Sequence, residues 1–281
     1  KLLVVPFALI LVETPISPQE RLAQGSANDR VKARWGEMWG ALQGNRVWQP
    51  TLAIFFFSCL PGPGTAMTNF FINDLGFSEE ELSYIAVVAA ISGAVGMTCY
   101  YKFFKELNWH GYFAIVVVIS SALSLTPLIL VFHLNRSWGI PDLAFALGDD
   151  AIIDVTNALL AMPILILIAT ICPHGVESSL YALVTSVQMA GGTVAGSLSA
   201  LLISAFGIEL HNYDRLWQLI LLCALLRLTF LPIIPMLPTK LTQVQSTSKS
   251  EYGAGLVLAL LVLGVFWALG QSSYKLATVS D

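Results

Sequence analysis

Apolar stretches about as long as a bilayer is thick alternate along the chain with short polar connections. A hydrocarbon core about 30 Å thick takes about 20 residues of α-helix at 1.5 Å each. Stretches 51–71, 82–101, 112–132, 143–171, 179–206, 216–237 and 252–269 meet or nearly meet that length, and each predicts a transmembrane helix. The fourth and fifth exceed a straight crossing, which predicts tilt or kinking, with Pro163 and Gly191-Gly192 as the yielding points. Pro61-Gly62-Pro63-Gly64 interrupts the first stretch, and Thr65, Thr68 and Asn69 supply polar groups beside the break. Irregular backbone at membrane depth survives only where protein buries it or where it lines a cavity, so this break is expected to face inward.

The segments outside these stretches complete the layout. Residues 1–12 are apolar but too short to cross and carry no leader-peptide pattern, so they read as the end of a preceding transmembrane helix in a longer protein. The connection 13–50 contains Val31, Trp35, Met38, Trp39 and Leu42 at helical spacing, with Arg30, Lys32 and Arg34 on other faces. It predicts an amphipathic helix over 28–43 lying at the membrane interface. Six spans over 51–238 form the expected bundle, residues 239–251 a linker, and 252–281 an additional transmembrane helix with a tail. Arg21, Arg30, Lys32, Arg34, Arg46, Lys102, Lys105, Lys240 and Lys249 fall on one side of this arrangement, and Arg136, Arg215 and Lys275 on the other. The positive-inside rule places the first group toward the cytoplasm, or the stroma or matrix of an organelle.

Composition agrees with this reading. The 281 residues are 56% hydrophobic and 11% charged, against roughly 25% charged in soluble domains. Mean hydropathy is +0.73. The fold class expected is therefore all-α, a polytopic transmembrane bundle. A net charge of -4 gives no basic field for nucleic acid, and the partner it implies is the lipid bilayer. Cys59, Cys99, Cys172 and Cys223 stand singly in or beside apolar runs without metal-ligand spacing. No HExxH, Walker A, GxSxG or GxGxxG pattern occurs, so neither a cofactor nor an enzymatic activity is expected.

The informative residues are the charges that violate the bilayer. Asp149, Asp150 and Asp154 lie in a stretch otherwise apolar enough to span, where each charged Asp costs about 2.5 to 3.5 kcal/mol on insertion scales. Asp150 and Asp154 share a helix face and repel, and taking up one proton relieves that repulsion. Asp149 and Asp150 also suit the helix N-terminus if the span starts near Ala151, an arrangement that leaves Asp154 still in need of a cavity or a cation. Arg227 is set deep in another apolar run, as a permanent partner of Asp154, a partner during a transport cycle, or a binder of an anionic group. Gln188 lies near the small-residue pair Gly192 and Gly196, where close packing competes with a substrate-facing role. Pro173, His174 and Glu177 form a turn on the basic side, either a solvated connection or a gate, and Pro61 and Gly62 mark the other candidate gate.

These residues resemble the folate-biopterin transporter family of the major facilitator superfamily, over roughly 34–238. The resemblance is carried by Trp39, Asn45-Arg46-Val47-Trp48-Gln49-Pro50, Pro61, Phe70-Phe71, Leu75-Gly76-Phe77-Ser78, Gly148-Asp149-Asp150 and Met162-Pro163. It continues in Cys172-Pro173-His174-Gly175-Val176-Glu177, Ser179-Leu180-Tyr181-Ala182-Leu183, Ser186, Gly191-Gly192, Arg227 and Leu231-Pro232. The stretch 172–186 is the most specific part. Gln188-Met189 stands where the family pattern leads one to expect Asn, and 96–105 is a degenerate form of the superfamily's loop motif without its acid.

The resemblance implies the C-terminal half of a major facilitator fold and proton-coupled transport of folates, pterins or related small organic anions. A carboxylate suits the adjacent N–H donors of a pterin ring, and a guanidinium suits the carboxylates of a folate tail. The implied partners are the small organic anion, the N-terminal half of the same protein and other membrane subunits. Plastid and plasma membranes are both compatible. The rival expectation is a transporter-derived structural subunit of a larger membrane complex, such as a photosynthetic one.

Overall fold

The structure, a computed structural model, describes residues 27–171, 177–209, 212–237 and 250–279. Among these residues no strand forms, and the chain is a bundle of helices with only an isolated bridge between Glu209 and Asn212. Helix α1, Ala27–Leu42, covers the expected amphipathic segment. Its end docks on the bundle through buried Leu42 and half-buried Trp39, while Trp35 stays exposed.

The first span is two helices, α2 (Asn45–Ser58) and α3 (Gly64–Asn73), separated at the expected Pro-Gly-Pro sequence. Prolines have no N–H to continue the ladder. The freed N–H of Gly62 instead donates to Ser199 Oγ at 3.1 Å. Helix α4 (Glu79–Cys99) starts on a capping box in which Ser78 and Glu81 satisfy each other's backbone N–H, and it ends in a π-helical turn, Tyr100–Phe104.

The third span is also interrupted. Helix α5 (Trp109–Leu123) gives way to a turn before α6 (Pro127–Val131), because Pro127 imposes a new helix start. A short α7 (Leu134–Ser137) follows. Helix α8 (Asp142–Ile171) runs unbroken through Pro163, and α9 (Glu177–Ala205) follows it. Helix α10 (Leu216–Leu228) tightens into a 3-10 turn, Leu231–Met236, where Pro232 and Pro235 stand. Helix α11 (Glu251–Val279) is the additional helix. Among the described residues, six helical stretches are long and apolar enough to cross a membrane, the broken α2–α3 span standing apart from them.

Packing follows small residues, as it must where lipid is as apolar as Leu. The most extensive helix pair is α4 with α8, and Gly96 is the reason. A Cβ at Gly96 would sit 2.6 Å from the Val155 carbonyl and 2.8 Å from Ala158 Cβ. Gly191 of α9 likewise lies against Phe55 and Ser58 of α2. Helix α11 packs on α9 and α2, with Gly264 on Ala190 and Gly253 on the Trp48 ring. Apolar clusters fill the basic half around Phe113, Leu160 and Phe230, and the opposite half around Phe70, Leu130 and Leu216.

Candidate functional site

Helix α8 carries the acids because its flanking contacts leave one face unclaimed. Val155 and Ala158 face α4, and the Leu159 carbonyl accepts from Tyr112 of α5. At 3.6 residues per turn, Asp150, Asp154, Asn157 and Ala161 fall within an arc of about 60° off both contact faces. All are half-buried except Asn157, which is exposed. Among the described residues, Asp150, Asp154 and Asn157 have no hydrogen-bond or ion-pair partner. The groups that act electrostatically on Asp150 are Asp149 and Asp154. The stripe is thus a run of unpaired acceptors, ended by an amide that both donates and accepts.

Asp149 leaves this stripe. It points to the α5–α6 turn, where the Thr126 hydroxyl meets Asp149 Oδ1 and also lies 2.6 Å from the Leu123 carbonyl. A hydroxyl has one proton to donate. That single proton is shared between the Asp149 and Leu123 acceptors. The interruption at Pro127 is what brings Thr126 to this position.

Arg227 continues the buried stripe of α10 that runs through Leu216, Ile220 and Cys223. Its Nη1 donates to Ser120 Oγ of α5 at 2.6 Å. The next serine of α5, Ser121, donates to the Ala224 carbonyl at 2.6 Å, so the two serines pin α10 to α5 one turn apart. Among the described residues the ion pairs are Arg136 with Asp142 and His133 with Asp74. Arg227 and Asp154 are therefore not paired in this conformation, and the guanidinium is held by Ser120 instead.

Gln188 is half-buried on α9 without a hydrogen-bond partner among the described residues. Pro61 and Gly62 form the α2–α3 break and are held by Ser199, which joins the break to α9. Pro173 and His174 lie outside the described residues, and of Glu177 only the backbone, opening α9, is described. A cavity of about 600 Å³ opens between α3 and the end of α9, lined by Asn69, Glu209, Asn212 and Tyr213 among others. It is at the non-basic end and does not include the α8 acids. Sequence reasoning passed over Asn157, Thr126, Ser120 and Ser199. Asn157 had a usable signal in its place three residues after Asp154, and Thr126 in the proline that follows it.

Comparison with known proteins adds the family. The model of the BT1 family matches residues 1–252, a region that ends where α11 begins. The chain is 34% identical to the folate-biopterin transporter of Synechocystis sp. (strain ATCC 27184 / PCC 6803 / Kazusa), over 89% of this chain and 49% of that protein. Folate transporter 2 of Plasmodium falciparum (isolate 3D7) is 28% identical over 68% of this chain and 42% of its own length. The probable folate-biopterin transporter 2 of Arabidopsis thaliana is 26% identical over 83% and 49%. The chain spans about half the length of these relatives. No solved structure matches it. The resemblance read from the residues and the match along most of the chain agree: this is an integral, multi-pass membrane protein that belongs to the BT1 family.

Proposed function

We propose that the chain is the C-terminal half of a major facilitator-type secondary transporter of folates, pterins or related small organic anions, coupled to protons. The observation that carries this reading is the unpartnered stripe Asp150, Asp154 and Asn157 on α8, at membrane depth in a family whose named relatives transport folate or biopterin. An ionisable acceptor left without a partner at membrane depth is costly. A ligand or a proton removes that cost, which gives the stripe differential affinity for loaded and empty states.

In this reading Asp154 accepts the paired N–H donors of a pterin edge and Asn157 completes the contact. Arg227, released from Ser120, takes an anionic group in a bidentate contact. Asp150 carries the coupling proton. The α2–α3 break at Pro61 and Gly62 and the turn at Pro173, His174 and Glu177 act as gates, and Gln188 lines the path. The N-terminal half supplies the opposing bundle needed for alternating access.

The test is uptake of labelled folate or a pterin into proteoliposomes holding the full gene product, with and without an imposed proton gradient. Gradient-driven uptake that Asp154→Asn and Arg227→Leu abolish supports the assignment. Uptake indifferent to both substitutions overturns the residue roles. Absence of uptake, together with stoichiometric co-purification with other membrane subunits, would assign the structural-subunit reading instead.

A further inference from the structure

An apolar groove of about 390 Å³ runs between α5 and α8 toward the basic end of the bundle, on a different face of α8 from the acid stripe. Leu107, Gly111, Ile115 and Ile119 form one wall, and Thr156 and Leu159 belong to the other. Three features fit it to one kind of occupant.

The first is its length. From Asn108 to Ile119 the groove follows α5 for about 16 Å at 1.5 Å per residue, which matches the ~15 Å of hydrocarbon in one leaflet. The second is its exposure. Ile115 is 61% and Ile119 49% exposed, so the groove opens sideways toward lipid.

The third is the chemistry of its mouth. Phe104, Leu107 and Asn108 of the groove are neighbours in sequence of the exposed Lys102 and Lys105. The Lys105 ammonium lies 4.7 Å from the Tyr101 ring centroid and that of Lys102 5.5 Å from Phe103, which keeps both amines at the level of the aromatic belt. Glu106 is the acid in this turn, so the local balance is one positive charge. The π-helical turn over Tyr100–Phe104 sets these residues, and such turns recur at functional sites.

We infer that this groove is a binding site for an anionic phospholipid, with one acyl chain along α5 and its phosphate at Lys102 and Lys105. The amide of Asn108, whose oxygen accepts from His110 N–H, has its NH₂ left to donate to the phosphate. Gly111 keeps the floor open. A Cβ there meets nothing within 4 Å, so a larger side chain fills the groove without displacing the backbone.

The experiment is native mass spectrometry of the full chain in detergent with equimolar phosphatidylglycerol and phosphatidylcholine, alongside thermal unfolding. The wild type is expected to retain phosphatidylglycerol over phosphatidylcholine by on the order of tenfold, the scale of two surface lysines. Lys102→Gln with Lys105→Gln brings the two lipids close to parity. Gly111→Leu loses retention of both while unfolding at the wild-type temperature or above. Equal retention of the two lipids by the wild type overturns the headgroup assignment, and unchanged retention in Gly111→Leu overturns the groove.

Discussion

Arg227 of α10 donates to Ser120 of α5 at 2.6 Å, near the middle of both spans. A guanidinium held by a neutral hydroxyl is satisfied at one nitrogen and keeps its full charge, so it is parked rather than neutralised. A permanent ion pair with Asp154 would have given a different picture, with both charges spent on each other. Among the described residues the acids of α8 and the cation of α10 are instead not paired with each other.

Removing the parking group should therefore separate stability from ligand affinity. Ser120→Ala is expected to cost about 1.5 to 3 kcal/mol of stability, the range for a hydrogen bond to a charged group, while sparing the affinity for an anionic ligand. Arg227→Lys keeps the charge but loses the planar fork, and affinity for folate should fall at least about tenfold. Thermal unfolding and equilibrium binding on the same preparations check the pair.

The close approach of α4 to α8 depends on Gly96. Gly96→Leu forces a Cβ to 2.6 Å from the Val155 carbonyl and 2.8 Å from Ala158, and should destabilise the bundle by about 1 to 3 kcal/mol or more. Gly93→Ala meets nothing within 4 Å and should be neutral or stabilise by up to about 1 kcal/mol through helix propensity. Denaturation midpoints of the two variants should move in opposite directions, or only the first should move.

The break at Pro61-Gly62-Pro63 depends on one hydroxyl. Ser199→Ala leaves the Gly62 N–H without its acceptor, at a cost of about 1 to 3 kcal/mol, and Ser199→Thr should restore most of it. Hydrogen exchange at Gly62 and Gly64 should accelerate in the alanine variant alone.

Helix α11 docks through Gly253 and Gly264, through the buried Ala254 and Val257, and through a hydrogen bond from Trp267 Nε1 to Ser197 Oγ at 2.8 Å. Gly264→Val places a Cβ 2.4 Å from Ala190 Cβ and should release the helix from α9. Gly255→Val, where nothing lies within 4 Å, should leave it docked. Cross-linking between Ala190→Cys and Leu260→Cys or Leu261→Cys reports the difference.

The spans were legible because the bilayer imposes one dominant constraint: a run of apolar residues long enough to cross has few alternatives. The α2–α3 break was legible for a related reason, since prolines and glycines at Pro61 to Gly64 leave N–H groups and φ angles that no helix accommodates. The interruption at Thr126-Pro127 had the same kind of signal in one proline and was passed over within a span that hydropathy reads as continuous. Ser120 and Ser199 were not legible at all. A serine that bonds Arg227 and a serine that merely packs look alike in sequence, and the register joining α5 to α10 or α9 to the break is set by tertiary packing. The acids and Arg227 stood out singly, but whether they pair depends on the same register. Asn157 was hidden because one amide in an apolar helix carries little weight until Asp150 and Asp154 define the face it shares.

The most direct measurement is labelling of Asn157→Cys in a background with Cys59, Cys99, Cys172 and Cys223 replaced by serine or alanine, using a membrane-impermeant thiol reagent on the full gene product in vesicles. The thiol is expected to react from water and to be protected by folate or a pterin, while Ile152→Cys, on another face of α8, stays unreactive. A thiol at 157 that is inert while 152 reacts, or labelling at 157 that no folate or pterin slows, would contradict the proposed role of the stripe.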